Sequence, residues 1–232
     1  MVLKLSKRRQ LSKEKIQFSK VYSLAEGLKL VKTCATAKFR ESVDVAIKLG
    51  VDPRKLGKTV LGAVVLPYGI GRNVKIAVFA DQEGSNKAKN AGADFVGIDG
   101  LIKRIRSGNI DFDLVIATPE TMQTVGKLGK ILGPRGLMPS LTDGTVAVDV
   151  EAAVKNAKHG QARYRADKKG IIHCSIGKVD FSEEALKENL LTLLSDIRTK
   201  SIPRTTEKEV PIKKLTLSST MGPGITVAYP ID

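Results

Sequence analysis

Apolar residues recur along this chain with two different periods, and the switches between those periods mark its elements. Val43, Val45, Ile47 and Leu49 alternate with Asp44, Ala46 and Lys48, the two-residue repeat of a strand buried on one face. Ahead of it, Leu24, Leu28, Val31 and Ala35 follow helical spacing. They lie behind Ser23-Leu24-Ala25-Glu26, a capping box in which Ser and the Glu three residues on satisfy the orphan amides of a first turn. That helix should end between Cys34 and Ala37. Further strands are expected over residues 60–66, 170–176, 210–217 and 225–228. Ser182 followed by Glu183 and Glu184 opens a helix whose buried stripe is Leu186, Leu190, Leu193, Leu194 and Ile197, with Arg198 and Lys200 suited to its C-terminal dipole.

The middle of the chain has another rhythm. Short apolar runs over residues 74–80, 93–97 and 114–117 are separated by helix-like stretches over 86–91 and 101–106, and a further helix is expected from Pro119. Short apolar strands separated by helices imply a parallel sheet covered on both faces, a small Rossmann-like layer.

Charge divides the chain in the same places. The 232 residues carry a formal net charge of +15. Residues 1–67 hold 15 Lys/Arg against 5 Asp/Glu, residues 68–159 hold 12 against 10, and residues 160–232 hold 12 against 9. The two ends therefore carry +13 of the +15. This asymmetry suggests a nearly neutral module inserted into a basic one whose halves meet in space, since insertion is tolerated where chain ends lie close. The expected fold is α/β and α+β in two domains. A split α+β domain from both chain ends, residues 1–67 plus 160–232, is interrupted by a Rossmann-like three-layer α/β domain, residues 68–159.

A charge this large predicts attraction to polyanions, either nucleic acid or an acidic membrane. No run approaches the roughly 20 apolar residues of a spanning helix, and residues 1–20 scatter cations where a signal peptide has its apolar core. A cytoplasmic protein without a membrane partner is expected. Cys34 and Cys174 are too far apart in sequence and too few for a zinc site or a disulfide scaffold, so reduced thiols are expected.

Signals for an enzyme are broken. Gly69-Ile70-Gly71 follows a strand, but the third glycine of a dinucleotide fingerprint would fall at Val74. Gly57-Lys58-Thr59 ends like a phosphate loop whose required earlier glycine is Asp52. His159 and His173 lack the partners of a metal or catalytic frame. No catalytic residue, metal ligand or cofactor is expected.

Signals for nucleic acid are better formed. Lys38-Phe39-Arg40-Glu41-Ser42 sets an aromatic between two cations just after a helix, and Arg163-Tyr164-Arg165-Ala166-Asp167-Lys168-Lys169 repeats the arrangement beyond the middle module. Cations neutralise phosphates, a ring stacks on a base or ribose, and Glu41 or Asp167 can accept from a 2′-OH or base amine. The same residues also suit core rings with a solvated charged face, and the sequence leaves both readings open. Thr220-Met221-Gly222-Pro223-Gly224 supplies small residues that would let RNA approach the backbone, or an ordinary turn. Lys127 to Pro139, KLGKILGPRGLMP, reads as a shaped basic loop, because Gly and Pro at 133–134 and Pro139 punctuate any helix.

That loop, together with ATAKF at 35–39, ATP at 117–119, DKKGIIH at 167–173 and STMGP at 219–223, resembles the first-numbered large-subunit ribosomal protein family, bacterial type, of the mobile stalk beside the exit site. The resemblance runs the length of the chain in order. It implies a split RNA-binding domain, an inserted domain on a two-stranded hinge, and a monomer within the ribosome. Carried over by matching motifs, the implied RNA contacts are Lys38, Phe39, Glu41 and Ser42, then Arg165, Asp167, Lys168 and His173, then Thr220, Met221 and Gly222. Ser42 stands where the family has threonine, and both keep a hydroxyl. Lys127, Lys130 and Arg135 are implied as a secondary RNA or tRNA contact, or as structural. The implied partners are large-subunit rRNA, exit-site tRNA, and the protein's own operon mRNA as a target of translational repression. A general nucleic-acid chaperone and a nucleotide-binding enzyme are the alternatives.

Overall fold

The computed structural model describes residues 10, 15–17, 20–50, 60–200 and 211–229. The chain forms two compact units, Met1–Gly71 with Ala162–Asp232, and Arg72–Gln161. The breaks fall after Gly71 and Gln161, against the expected Pro67 and His159. Gly57-Lys58-Thr59, Val210 and most of residues 1–20 lie outside the described residues.

The first unit is built on an antiparallel sheet. Helix α1 (Leu24–Cys34) begins at Ser23, where the capping box forms in full: Ser23 Oγ accepts from Glu26 N and the Glu26 carboxylate accepts from Ser23 N, both at 3.3 Å. Strand β1 (Ser42–Leu49) follows, then β2 (Leu61–Val65). After the second unit come β6 (Gln161–Arg165), β7 (Ile171–Lys178), α7 (Glu183–Lys200), β8 (Ile212–Ser219) and β9 (Ile225–Val227). Four strands order as β7-β1-β8-β9, all antiparallel, and β2 pairs with β6 separately.

Alternation in β1 decides which face is core. Val43, Val45, Ile47 and Leu49 are all 3% exposed or less and join Ile172, Ile176, Leu215 and Leu217 under α1 and α7. The expected stripe of α7, from Leu186 to Ile197, is buried throughout. Gly27 lies inside α1, where glycine normally costs about 1 kcal/mol. It is needed there because a Cβ would stand 2.3 Å from Val227 Cγ1.

The second unit has the expected parallel sheet. Its elements are β3 (Ile76–Phe79), α2 (Gln82–Asn90), β4 (Phe95–Val96), α3 (Asp99–Arg106), β5 (Leu114–Ala117), α4 (Met122–Gly126), α5 (Gly129–Leu132) and α6 (Val150–His159). Strand order is β4-β3-β5, and every residue of β3 and β5 is buried. Ile76, Val78, Leu114 and Ile116 pack with Ala88 of α2 and with α6, while Ala77, Phe79, Val115 and Ala117 pack with α3, α4 and α5. Two separate apolar layers thus sandwich one sheet.

Several local expectations need correction. Helix α2 starts at Gln82, not Asn86, and only Ala88 of it is buried, so it carries almost no apolar stripe to read. The helix expected from Pro119 starts at Met122, because the buried Thr121 Oγ1 turns back to donate to Phe79 O at 2.9 Å. Helix α6, set between the Asp149 cap and the left-handed Gly160, and strand β6 were not expected at all. Lys127–Pro139 is not wholly a loop. Its middle winds into α5, which buries Leu128 and Leu132 and leaves Lys127, Lys130 and Arg135 exposed. Among the described residues no helix is long and apolar enough to cross a membrane.

Candidate nucleic-acid interface

The residues expected to contact RNA in the first unit form two groups at opposite ends of β1. The first group assembles where α1 hands over to β1. Glu41 is only 3% exposed, and its carboxylate is turned onto the backbone. Oε1 accepts from Ala37 N at 2.9 Å and Oε2 accepts from Met221 N at 3.0 Å. Ser42 N donates to Thr220 Oγ1 at 2.9 Å, Thr220 N donates to Ser42 O at 3.1 Å, and Lys178 Nζ donates to Ser42 Oγ at 2.7 Å. Segments 178 residues apart are thereby held as one ledge. Glu41 builds that ledge, with each carboxylate oxygen bonded to a backbone amide.

On this ledge two apolar side chains face solvent. Phe39 is 55% exposed and Met221 is 53% exposed, with Lys38 exposed beside Phe39. Both leave apolar surface in water in the free protein. Arg40 is engaged nearby, ion-paired to Asp180 and reaching Gly71 O at 3.5 Å. The Thr220-Met221-Gly222 turn packs tightly: a Cβ on Gly222 would meet Ser219 Oγ at 2.4 Å. That hydroxyl is buried without a hydrogen-bond partner.

The second group gathers at the other end of β1, six residues and about 20 Å along the strand. Asp167 Oδ1 accepts from Lys169 N and Ile171 N, both at 2.8 Å, closing the turn that carries Lys168. The Ile171 amide is the first reason its carboxyl is held below the usual carboxylate range; burial opposes it, and the Lys169 amide and the charges of His173 and Lys169 add to the lowering. Like Glu41, Asp167 is occupied by local backbone. Arg165 and Lys168 are exposed.

The surface between the two groups was missed in the sequence. It is the outward face of the sheet, made by the positions that alternate with the core. His173 is exposed and stands opposite Ala46, which stands opposite Thr216, which stands opposite Thr226. Asp44 lies between Ser175 and Ser218. Burial raises the Asp44 carboxyl, opposed by hydrogen bonding from Ser175 and by Lys178. A floor of small hydroxylated residues can meet ribose and phosphate oxygens closely. Its signal was present in the polar half of each strand repeat.

Tyr164 of the second aromatic constellation is not a contact. It is 3% exposed, and its hydroxyl donates to Asp196 Oδ2 at 2.9 Å; burial first, then Asp196, pushes its phenol well above the ordinary value. Cys34 and Cys174 are free and buried, and burial pushes the Cys174 thiol up to about 11. Gly69 and Gly71 sit in a turn leading into β3, without a helix opening behind them; Asn189 Nδ2 donates to Gly69 O at 3.0 Å. No group of three or more His, Cys, Asp or Glu side chains among the described residues is placed to hold a metal.

Comparison with known proteins gives a consistent picture. The family model described as Ribosomal protein L1p/L10e family matches residues 30–223. The large ribosomal subunit protein uL1 of Coxiella burnetii is 61% identical over 227 residues, 98% of this chain and 97% of that protein. The proteins of the same name from Thioalkalivibrio sulfidiphilus and Methylococcus capsulatus are 55% and 54% identical, each over 97% of this chain and 96% of their own length.

Proposed function

The chain belongs to the ribosomal protein L1p/L10e family, and we propose that it is a noncatalytic constituent of the large subunit of the cytoplasmic ribosome, anchored on folded rRNA by the outer sheet face of its first unit. The observation that carries this reading is the ledge around Glu41. It brings an exposed aromatic, a cation and an exposed methionine to the edge of a hydroxyl-lined floor, with further cations at the floor's far end. Phosphate neutralisation supplies affinity, and shape with a few ring and polar contacts selects the RNA.

The same face serves a second RNA by mimicry: an operon mRNA that folds like the rRNA site would compete for it and be repressed. Lys127, Lys130 and Arg135, exposed on the second unit, suit a contact with exit-site tRNA or with stalk RNA during translocation. Competition tests the central reading. A structured stalk rRNA fragment should displace a labelled copy of itself at concentrations at least a hundredfold below those of bulk tRNA or duplex DNA. Equal competition by all three would identify a general nucleic-acid chaperone instead.

A further inference from the structure

Lys48 and Lys214 stand directly opposite each other in the antiparallel register of β1 and β8, and both are exposed. Like charges at opposed positions destabilise a sheet. An anion laid over the pair removes that cost. On the β9 side of the pair is a pocket of about 380 Å³, bounded by Lys20, Val21, Lys213, Lys214, Thr226 and Tyr229. Its volume lies in the range of ligand-binding clefts, and among the described residues no carboxylate lines it.

The backbone around the pocket is already satisfied. Tyr22 N donates to Thr226 O at 3.0 Å and Ala228 N donates to Tyr22 O at 2.8 Å, so the β9 edge is covered and does not invite another strand. Three lysines line it, Lys20 with its ammonium 5.2 Å from the Tyr22 ring centroid, and their charge defines what enters. The Glu26 carboxylate near Lys20 accepts from Ser23 N in the α1 cap.

We propose that this pocket is a phosphate-binding subsite that takes the backbone of the bound RNA as it runs off the sheet. It rests on the RNA-binding reading above and extends the footprint from the Met221 ledge, along β1, across the Lys48–Lys214 pair to Lys20. The span along β1 alone is about 20 Å, a length over which a nucleic-acid helix presents several phosphates.

The test compares two triple variants of the full chain that each lose three positive charges. One carries Lys20→Ala, Lys213→Ala and Lys214→Ala; the control carries Lys29→Ala, Lys32→Ala and Lys187→Ala on the two helices that cover the opposite sheet face. Affinity for a structured stalk rRNA fragment is measured between 50 and 200 mM salt. The pocket variant should lower the slope of log K against log salt by about 2, from three contacts at about 0.7–0.9 each, and the control should leave the slope unchanged. Lys214→Gln alone, which also removes the repulsion with Lys48, should stay folded and lower the slope by about 1. Equal slopes in both triple variants would overturn the subsite. So would saturable binding of inorganic phosphate to the pocket with no change in RNA slope, which would assign it to a free anion. Failure of the wild-type chain to prefer the rRNA fragment over bulk tRNA is a different result, and it would overturn the functional reading itself.

Discussion

Glu41 Oε2 accepts a hydrogen bond from the backbone amide of Met221 at 3.0 Å, across 180 residues of sequence. The other oxygen of the same buried carboxylate holds Ala37 N, so one side chain fixes the entry to β1 against the turn after β8. Both chain ends meet at this residue, and the exposed Phe39 and Met221 side chains are presented from it.

Glu41→Gln replaces one accepting oxygen with an amide that faces an N–H group. A buried donor left unpaired costs about 1–3 kcal/mol. Urea unfolding should show a loss of that size, together with weaker rRNA binding, and an unchanged midpoint would mean that the carboxylate does not hold the ledge.

Phe39 and Tyr164 occupy matching places in two similar cation-flanked motifs but should respond in opposite ways. Phe39→Ala should leave the thermal transition in place and weaken rRNA binding by about 1–3 kcal/mol, the worth of one stacked base. Tyr164→Phe removes the bond to Asp196 and should cost about 1 kcal/mol of stability with no change in RNA affinity.

Met221→Asp sets a negative charge beside the expected phosphates at an exposed position. Affinity for rRNA should fall at least tenfold while circular dichroism and melting temperature stay as in the wild type. Normal affinity would remove the turn from the interface.

Asp167 gives a signed pH effect. Its folded-state carboxyl lies below the ordinary value of 3.8. Its contribution to stability is therefore full above that value and lost as pH falls through the lowered folded one. NMR titration of the Asp167 carboxyl should show a midpoint below 3.8, and Asp167→Asn should flatten the acid limb of the stability curve below about pH 4.

The steep alternation in β1, the capping box at Ser23 and the Leu stripe of α7 made the first unit's core legible, because each buries one face against a continuous partner. Helix α6 gives a weak apolar signal because two of its four buried positions, Ala153 and Ala157, are alanine. Local motifs singled out Phe39 and Met221, which the fold leaves exposed, but not the backbone bonds made by Glu41 and Asp167. Whether a carboxylate faces RNA or the backbone depends on which amides the fold leaves unpaired beside it. The outward sheet face was hidden for a related reason: Ser175, Thr216, Ser218 and Thr226 become one surface only once antiparallel pairing sets their register.

The central claim is that RNA affinity resides in the unit made from both chain ends, which has its own apolar core. Its most direct test is the affinity for a stalk rRNA fragment of a chain in which Gly71 is joined to Ala162 by a short glycine linker. That chain should bind within about tenfold of the full protein and lose on the order of 10³-fold in affinity between 50 and 200 mM salt, as expected for about six phosphate contacts. Loss of binding in the joined chain, with the affinity recovered in the isolated Arg72–Gln161 unit, would contradict it.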